Sequence, residues 1–135
     1  MVNETLGVLL PDGNVYPCFL TGYKDTINSI EKCRRIPHRF LSLPHRGIAN
    51  KEETESFFEK VLAANIACYE FILNMNKKGL SEDEMMESLS RQYKNETLLK
   101  FQPEEAFTMN ARAVISCVLR EKPIGQPIGQ PLGQP

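Results

Sequence analysis

The chain is 135 residues long, 41% of its residues are hydrophobic, and its formal net charge at pH 7 is −1. This length corresponds to about one domain, and the charge excludes a strongly basic nucleic-acid-binding protein and an acidic tail protein. The sequence has neither a signal-peptide pattern nor an apolar run of about eighteen residues. We therefore expect a cytoplasmic protein that has no membrane partner.

The four cysteines are far apart in the sequence and form no Cys-x-x-Cys pair. They are Cys18, Cys33, Cys68 and Cys117. This spacing fits neither a structural zinc site nor a disulfide framework. Because thiols stay reduced in the cytoplasm, we expect buried structural thiols.

The first elements predicted are a strand and a helix. Residues 5–10 form a short apolar run before the turn residues 11–14, so a strand is expected there, although it has no obvious partner in the chain. Residues 23–36 predict a helix that ends before Pro37. Its apolar positions recur every three residues, at Ile27, Ile30, Cys33 and Ile36.

A second short strand is predicted over residues 39–43. It is expected to be buried and to end at Pro44, which cannot donate to a strand ladder. His45 follows on the loop beyond the carboxyl end of this strand, where sheet-based folds often place ligands. A neutral imidazole in this position is a candidate metal ligand; a loop histidine without a role is the alternative.

Three helices are predicted after residue 48, over residues 50–78, 81–94 and 103–122. The first has Asn50 as its N-cap, and Ser81 opens the second with a capping box. The apolar face of the first helix comprises Phe57, Phe58, Val61, Leu62, Ile66, Tyr69, Ile72 and Leu73. The three helices are expected to pack as a small bundle or as a layer that covers a sheet. The repeated Pro-Ile-Gly-Gln tail over residues 123–135 is expected to be disordered.

Five short segments of the sequence occur in an order that is typical of a known family. They are residues 4–7, 16–17, 22–25, 29–32 and 41–47. Together they resemble the C-terminal part of metallo-β-lactamase-fold hydrolases, the glyoxalase-II-like group. In that family a helix leads into a short strand that ends in a histidine, which is the last metal ligand. The resemblance implies that His45 is this ligand. Residues 79–84 are similar to a phrase that opens a helix in several members.

The resemblance implies an α/β remnant that is mostly α. Residues 1–48 would be a partial half-domain from the second half of an αβ/βα sandwich, and residues 49–122 a three-helix C-terminal segment. The chain departs from the family because the His-x-His-x-Asp-His motif is absent, and His38 and His45 are its only histidines. We therefore expect a C-terminal fragment of a metal-dependent hydrolase, inactive alone. Its two-metal site, for zinc or another divalent metal, would need a partner that supplies the missing half.

The alternative function is a helical interaction or dimerisation module without catalysis. Half of a sandwich exposes the face that its other half should cover, which favours a homo-oligomer or another partner. A basic cluster comprises Lys32, Arg34, Arg35, His38, Arg39 and Arg46. No aromatic interleaving or glycine-rich phosphate loop accompanies it, so a solvated surface, or a surface that pairs with acidic helix starts, is favoured over nucleic-acid binding.

Overall fold

The structure, a computed structural model, describes residues 6–43 and 47–121 and is mostly helical with two small antiparallel sheets. The described elements in chain order are β1 (Val8–Leu9), β2 (Val15–Tyr16), α1 (Tyr23–Arg35), β3 (Leu41–Leu43), β4 (Gly47–Ala49), α2 (Lys51–Lys77), α3 (Glu82–Tyr93), α4 (Glu96–Phe101) and α5 (Glu104–Glu121). The prediction of a mostly helical chain with short strands is confirmed. The tail over residues 123–135 lies outside the described residues.

The strand predicted near the start of the chain has a partner, contrary to expectation. β1 pairs antiparallel with β2, and Val8 lies opposite Tyr16. The turn between them is closed by hydrogen bonds from the Leu10 N–H to the Asn14 carbonyl and from the Gly13 N–H to the Leu10 carbonyl. The partner was missed because β2 has only two residues and stops at a proline, which leaves no measurable alternation.

The helix ends follow the local signals in the sequence. Asn50 and Glu53 form a capping box at the start of α2, and Ser81 and Glu84 form another at the start of α3. Gly79, at a φ of +77°, follows the end of α2 in the left-handed conformation that glycine adopts without steric cost. These bonds satisfy backbone groups that would otherwise have no partner within the helix.

Besides β2, two further elements were absent from the prediction. β4 pairs antiparallel with β3 and forms the second sheet, with Ser42 opposite Ile48. α4 is a single-turn helix whose N-cap Asn95 accepts a hydrogen bond from the Leu98 N–H. The described part of the C-terminal segment therefore contains four helices rather than the three expected.

The buried face of α1 is narrower than the three-residue spacing suggested. Thr26 and Ile30 are buried, whereas Ile36 lies at the C-cap and is 60% exposed. Three residues turn a helix by 300°, so a strict three-residue repeat drifts by about 60° at each step. From Ile27 to Ile36 this drift reaches half a turn, and the last isoleucine emerges on the solvent side.

The buried side chains form two hydrophobic clusters that share α2. The larger, core A, includes Phe19, Ile72, Phe107 and Val118 and joins the β1–β2 hairpin to the C-terminal half of α2 and to α3, α4 and α5. The smaller, core B, packs α1 and the β3–β4 hairpin on the first part of α2. Core B comprises Ile30, Leu43, Ala49, Phe57, Phe58 and Val61, so it draws on both the predicted 1–48 unit and the helical segment.

The predicted apolar face of α2 is wrong at one position, where an isoleucine was assigned to the core. Asn65 is fully buried, and Ile66, which was predicted to be in the core, is 41% exposed. The buried positions run through Val61, Asn65, Cys68 and Ile72, which keeps the spacing of three and four that a helix requires. An amide thus occupies the position between the two clusters.

Candidate functional site

The predicted metal ligand His45 lies outside the described residues, as do Pro44 and Arg46. The structure describes the strands on either side: Leu43 ends β3, and Gly47, at a φ of +103°, begins β4 opposite it. The strand predicted before His45 is therefore present, in the form of β3. His45 as a metal ligand stays a prediction.

The second histidine has a local structural role. The Nδ1 atom of His38 donates a hydrogen bond to the Ile36 carbonyl at 2.6 Å, and the imidazole lies 6.2 Å from the Phe58 ring. This contact holds the turn between α1 and β3 against core B. It agrees with the interpretation of His38 as a connector between helix and strand.

Within residues 6–43 and 47–121, no three His, Cys, Asp or Glu side chains converge in a way that could hold a metal ion. A catalytic metal needs about three protein ligands. The described residues therefore do not fit the two-metal site that the resemblance implies. Any such site would require ligands from outside this part of the chain.

The buried cysteines are in the reduced form and are poor nucleophiles. Burial raises the pKa of the Cys68 thiol to about 12, although a hydrogen bond with Tyr93 acts in the opposite direction. The Cys117 thiol donates to the Leu20 carbonyl, and burial raises its pKa as well. Both thiols stay protonated at neutral pH, and only the thiolate is reactive.

The most exposed apolar surface at the β3–β4 hairpin is on its outer side. Successive side chains of a strand point to opposite faces, and Leu43 and Ala49 are buried in core B. On the other face Phe40 is 66% exposed and Ile48 is 75% exposed. We call Phe40 and Ile48 the hairpin patch, together with Ile36, which is exposed and lies four residues before Phe40 in the sequence.

The hairpin patch was missed because an apolar strand suggests burial on both faces. The sequence signal that could have indicated an exposed face is alternation along the strand. Phe40 and Ser42 lie on one face, and the residue between them lies on the other. The Cα partner of Ser42 is Ile48, so Phe40 is the diagonal neighbour of Ile48 on the same face. Sequence alone does not show which face meets the core.

Exposed basic residues neighbour the members of the hairpin patch in the sequence. Lys32, Arg35, Arg39 and Lys51 are all exposed and lie within four residues of a patch member in the sequence. Two nearby carboxylates are already engaged: Glu53 caps α2, and Glu55 pairs with Arg34 at 2.6 Å. The Arg34 pair joins one member of the basic cluster to Glu55, the fifth residue of α2. By the same sequence criterion the exposed carboxylate of Glu52 also belongs to this rim, so four cations against one carboxylate give the rim a net positive charge.

No protein-family model matches the chain, and no curated protein matches it either. None of the described helices has the combination of length and apolar character needed to cross a bilayer.

Proposed function

We propose that the chain is a non-catalytic interaction module that binds an acidic, partly apolar segment of another protein at the hairpin patch. The observation that carries this proposal is the exposure of Phe40 and Ile48 on the outer face of the β3–β4 hairpin. Full burial of a Phe or Ile side chain contributes about 1.5–3 kcal/mol. Two-thirds or more of that contribution is still available at each residue, and a bound segment would recover it.

The open edges of the hairpin add a second means of binding. The sheet formed by β3 and β4 has two strands among the described residues, so each strand pairs on one side. An unpaired strand edge is a template for an additional strand from a partner. Main-chain hydrogen bonds along the edge and burial of the hairpin patch would act on the same extended segment.

The charge of the rim favours an acidic partner over a second copy of this chain. A two-fold symmetric contact between two hairpin patches would place the same positively charged rim, which includes Arg35 and Arg39, on both sides of the interface. Like charges placed together across an interface cost up to several kcal/mol. An acidic segment would instead pair with the same cations and speed its own association.

Nucleic acid is a poorer fit to this surface than protein. Single-stranded nucleic acids are held by bases stacked on aromatic side chains. Phe40 is the aromatic member of the hairpin patch, and the other two members, Ile36 and Ile48, have no ring on which a base could stack.

The proposal is tested with a peptide of alternating Glu and Val residues, titrated into the full chain and followed by NMR. We expect saturable shifts at β3 and β4 that weaken at least fivefold in Phe40→Ser and also weaken as salt is raised. Met109→Ser is the matched control, because Met109 is 71% exposed on α5. Equal binding of a Lys-Val peptide, or no binding, would contradict the proposal.

Sedimentation of the free chain tests the remaining alternative, in which a second copy of the chain covers the hairpin patch. If the chain dimerises and Phe40→Ser abolishes the dimer, a second copy covers the hairpin patch and the acidic partner is wrong. A monomer at all concentrations agrees with the proposal.

We also propose, from the resemblance, a second function as the C-terminal part of a metal-dependent hydrolase. The supporting observation is the order of elements: α1 ends at Arg35, and β3 follows directly before the segment that contains His45. A partner polypeptide would have to supply the other metal ligands.

Elemental analysis of the purified chain for zinc, manganese and iron tests this proposal. Stoichiometric metal that is lost in His45→Ala and kept in His38→Ala would support it, and a metal-free chain would leave it without support unless a partner restores binding.

A further inference from the structure

A cavity of about 180 Å³ lies between the β1–β2 hairpin and the junction of α4 with α5, away from the hairpin patch. Val8 and Tyr16 contribute to one side, and Leu98, Gln102 and Ala106 to the other. An engineered apolar cavity of about 150 Å³ is large enough to bind benzene. This cavity can therefore hold a molecule of the size of a single substituted aromatic ring.

The walls of the cavity select an uncharged molecule. Among the described side chains that line it, none is Asp, Glu, Lys, Arg or His. Burial raises the pKa of the Tyr16 hydroxyl, so this wall residue also stays neutral at physiological pH. An ion that enters such a site loses its hydration without gaining an opposite charge, which costs far more than the burial of a neutral group.

One wall residue has a hydrogen-bonding group without a partner. The Oε1 atom of Gln102 is buried, and it has no hydrogen-bond partner among the residues that the structure describes. A buried acceptor in this state lowers the stability of the folded protein, and a donor from a ligand would remove that cost. Gln102 lines the cavity, and the terminal torsion of a glutamine has a broad energy well, so rotation of the amide can present Oε1 to a donor in the cavity. The half-buried amide of Asn110 supplies a second polar group on the same wall.

We propose that this cavity binds a small uncharged ligand that has an apolar body and one N–H or O–H group donated to the side-chain oxygen of Gln102. The apolar body contacts Val8 and Leu98, and the donor group meets the amide. The site is independent of the hairpin patch, because its walls belong to the β1–β2 hairpin and to α4 and α5.

The probes that test this site are benzamide and acetophenone, which have nearly the same shape and differ in an NH₂ group against a methyl group. Each is titrated into the full chain and followed through the backbone amide signals of Gln102, Ala106 and Asn110. We expect saturable shifts with benzamide and about fivefold weaker binding of acetophenone, since one hydrogen bond contributes about 1 kcal/mol.

Two variants make the result specific. Gln102→Met keeps the length of the side chain and removes the acceptor, so it should bind the two probes equally. Ala106→Leu places added bulk in the cavity and should weaken both probes at least tenfold, and its NMR spectrum shows whether it has folded. Gln102→Met carries the test if Ala106→Leu does not fold. The absence of saturable shifts with either probe would show that the cavity holds water only and overturn the proposal. A fivefold preference that persists in Gln102→Met would overturn it as well.

Discussion

Asn65 is a polar residue at a position that sequence periodicity assigns to the core. Its Nδ2 atom donates to the Val61 carbonyl at 2.8 Å, one turn earlier in α2, while its buried Oδ1 has no hydrogen-bond partner in the described part of the chain. The Val61 carbonyl is also positioned to accept the backbone bond of the helix. The side chain therefore adds one shared bond and leaves one unsatisfied acceptor, a combination that reduces stability.

The first prediction is that Asn65→Leu stabilises the protein. Leucine has a similar shape and no polar atom, so the free energy of unfolding should rise by about 1 kcal/mol. Urea unfolding measures this change. Asn74→Leu is the control, because Asn74 is exposed on the same helix and should change the free energy by less than about 0.5 kcal/mol. A loss of stability in Asn65→Leu would mean that the amide has a partner, such as a buried water.

At the scale of elements, the start of α1 is capped by the end of α5. The Glu121 carboxylate accepts hydrogen bonds from the backbone N–H groups of Tyr23, at 2.9 Å, and Lys24, at 3.0 Å. The N-cap residue of α1 is Gly22, which has no side chain that could accept these bonds. A carboxylate from a distant helix thus takes the place that Ser, Asp or Asn usually fills, and it also complements the helix dipole.

The second prediction concerns this cap. Glu121→Gln should lower the free energy of unfolding by about 1 kcal/mol, since the negative charge at the helix N-terminus is lost. Gly22→Ala should have a comparable or larger effect, because an added Cβ would lie 2.7 Å from Glu121 Oε1. Urea unfolding and hydrogen exchange at the Tyr23 and Lys24 amides measure both changes.

Glu105→Gln is the control for this prediction, because Glu105 is exposed in the first turn of α5. It tests the general effect of removing a carboxylate from a helix N-terminus without the tertiary contact. Unchanged exchange at Tyr23 and Lys24 in Glu121→Gln would show that the cap does not depend on the charge.

The elements that sequence could predict are those whose ends are set by neighbouring residues. The capping boxes at Asn50 and Ser81 and the stop at Gly79 act within one turn, so α2 and α3 were located correctly. α4 had a similar local signal in Asn95 but is too short to show periodicity. The cap of α1 could not be predicted, since Glu121 is 98 residues away from Tyr23. The exposure of Phe40 and Ile48 was also inaccessible, because tertiary packing decides which face of a hairpin is covered.

At the scale of the whole molecule, core A holds a group of ionisable side chains that must stay neutral. Burial is the main cause that raises the pKa of Tyr16, Tyr93 and Cys68, and for Cys68 the value reaches about 12. In the unfolded chain a thiol ionises near pH 8.5. Between these two values the unfolded state has lost a proton that the folded state keeps, so stability falls as pH rises.

The third prediction follows from this difference. The free energy of unfolding should decrease by about 2 kcal/mol more between pH 8 and pH 10 in the wild type than in Cys68→Ala. Urea unfolding at pH 8, 9 and 10 measures the decrease. Ile72→Val, a core change that adds and removes no ionisable group, should keep the pH dependence of the wild type. An identical slope in Cys68→Ala and the wild type would contradict this assignment.

The contacts between residues 20–24 and the last turns of α5 also bear on the order in which the protein folds. The Glu121 bonds, and the bond from Arg120 to the Thr21 carbonyl, join residues that are nearly one hundred positions apart. Contacts of such high sequence separation close a large loop and form slowly. During synthesis, α1 emerges long before Glu121 has been made. The N–H groups in its first turn therefore lack their native acceptor until α5 is complete. In the nascent chain, α1 would therefore be packed only through its contacts in core B. The native start of this helix would form as one of the last steps of folding.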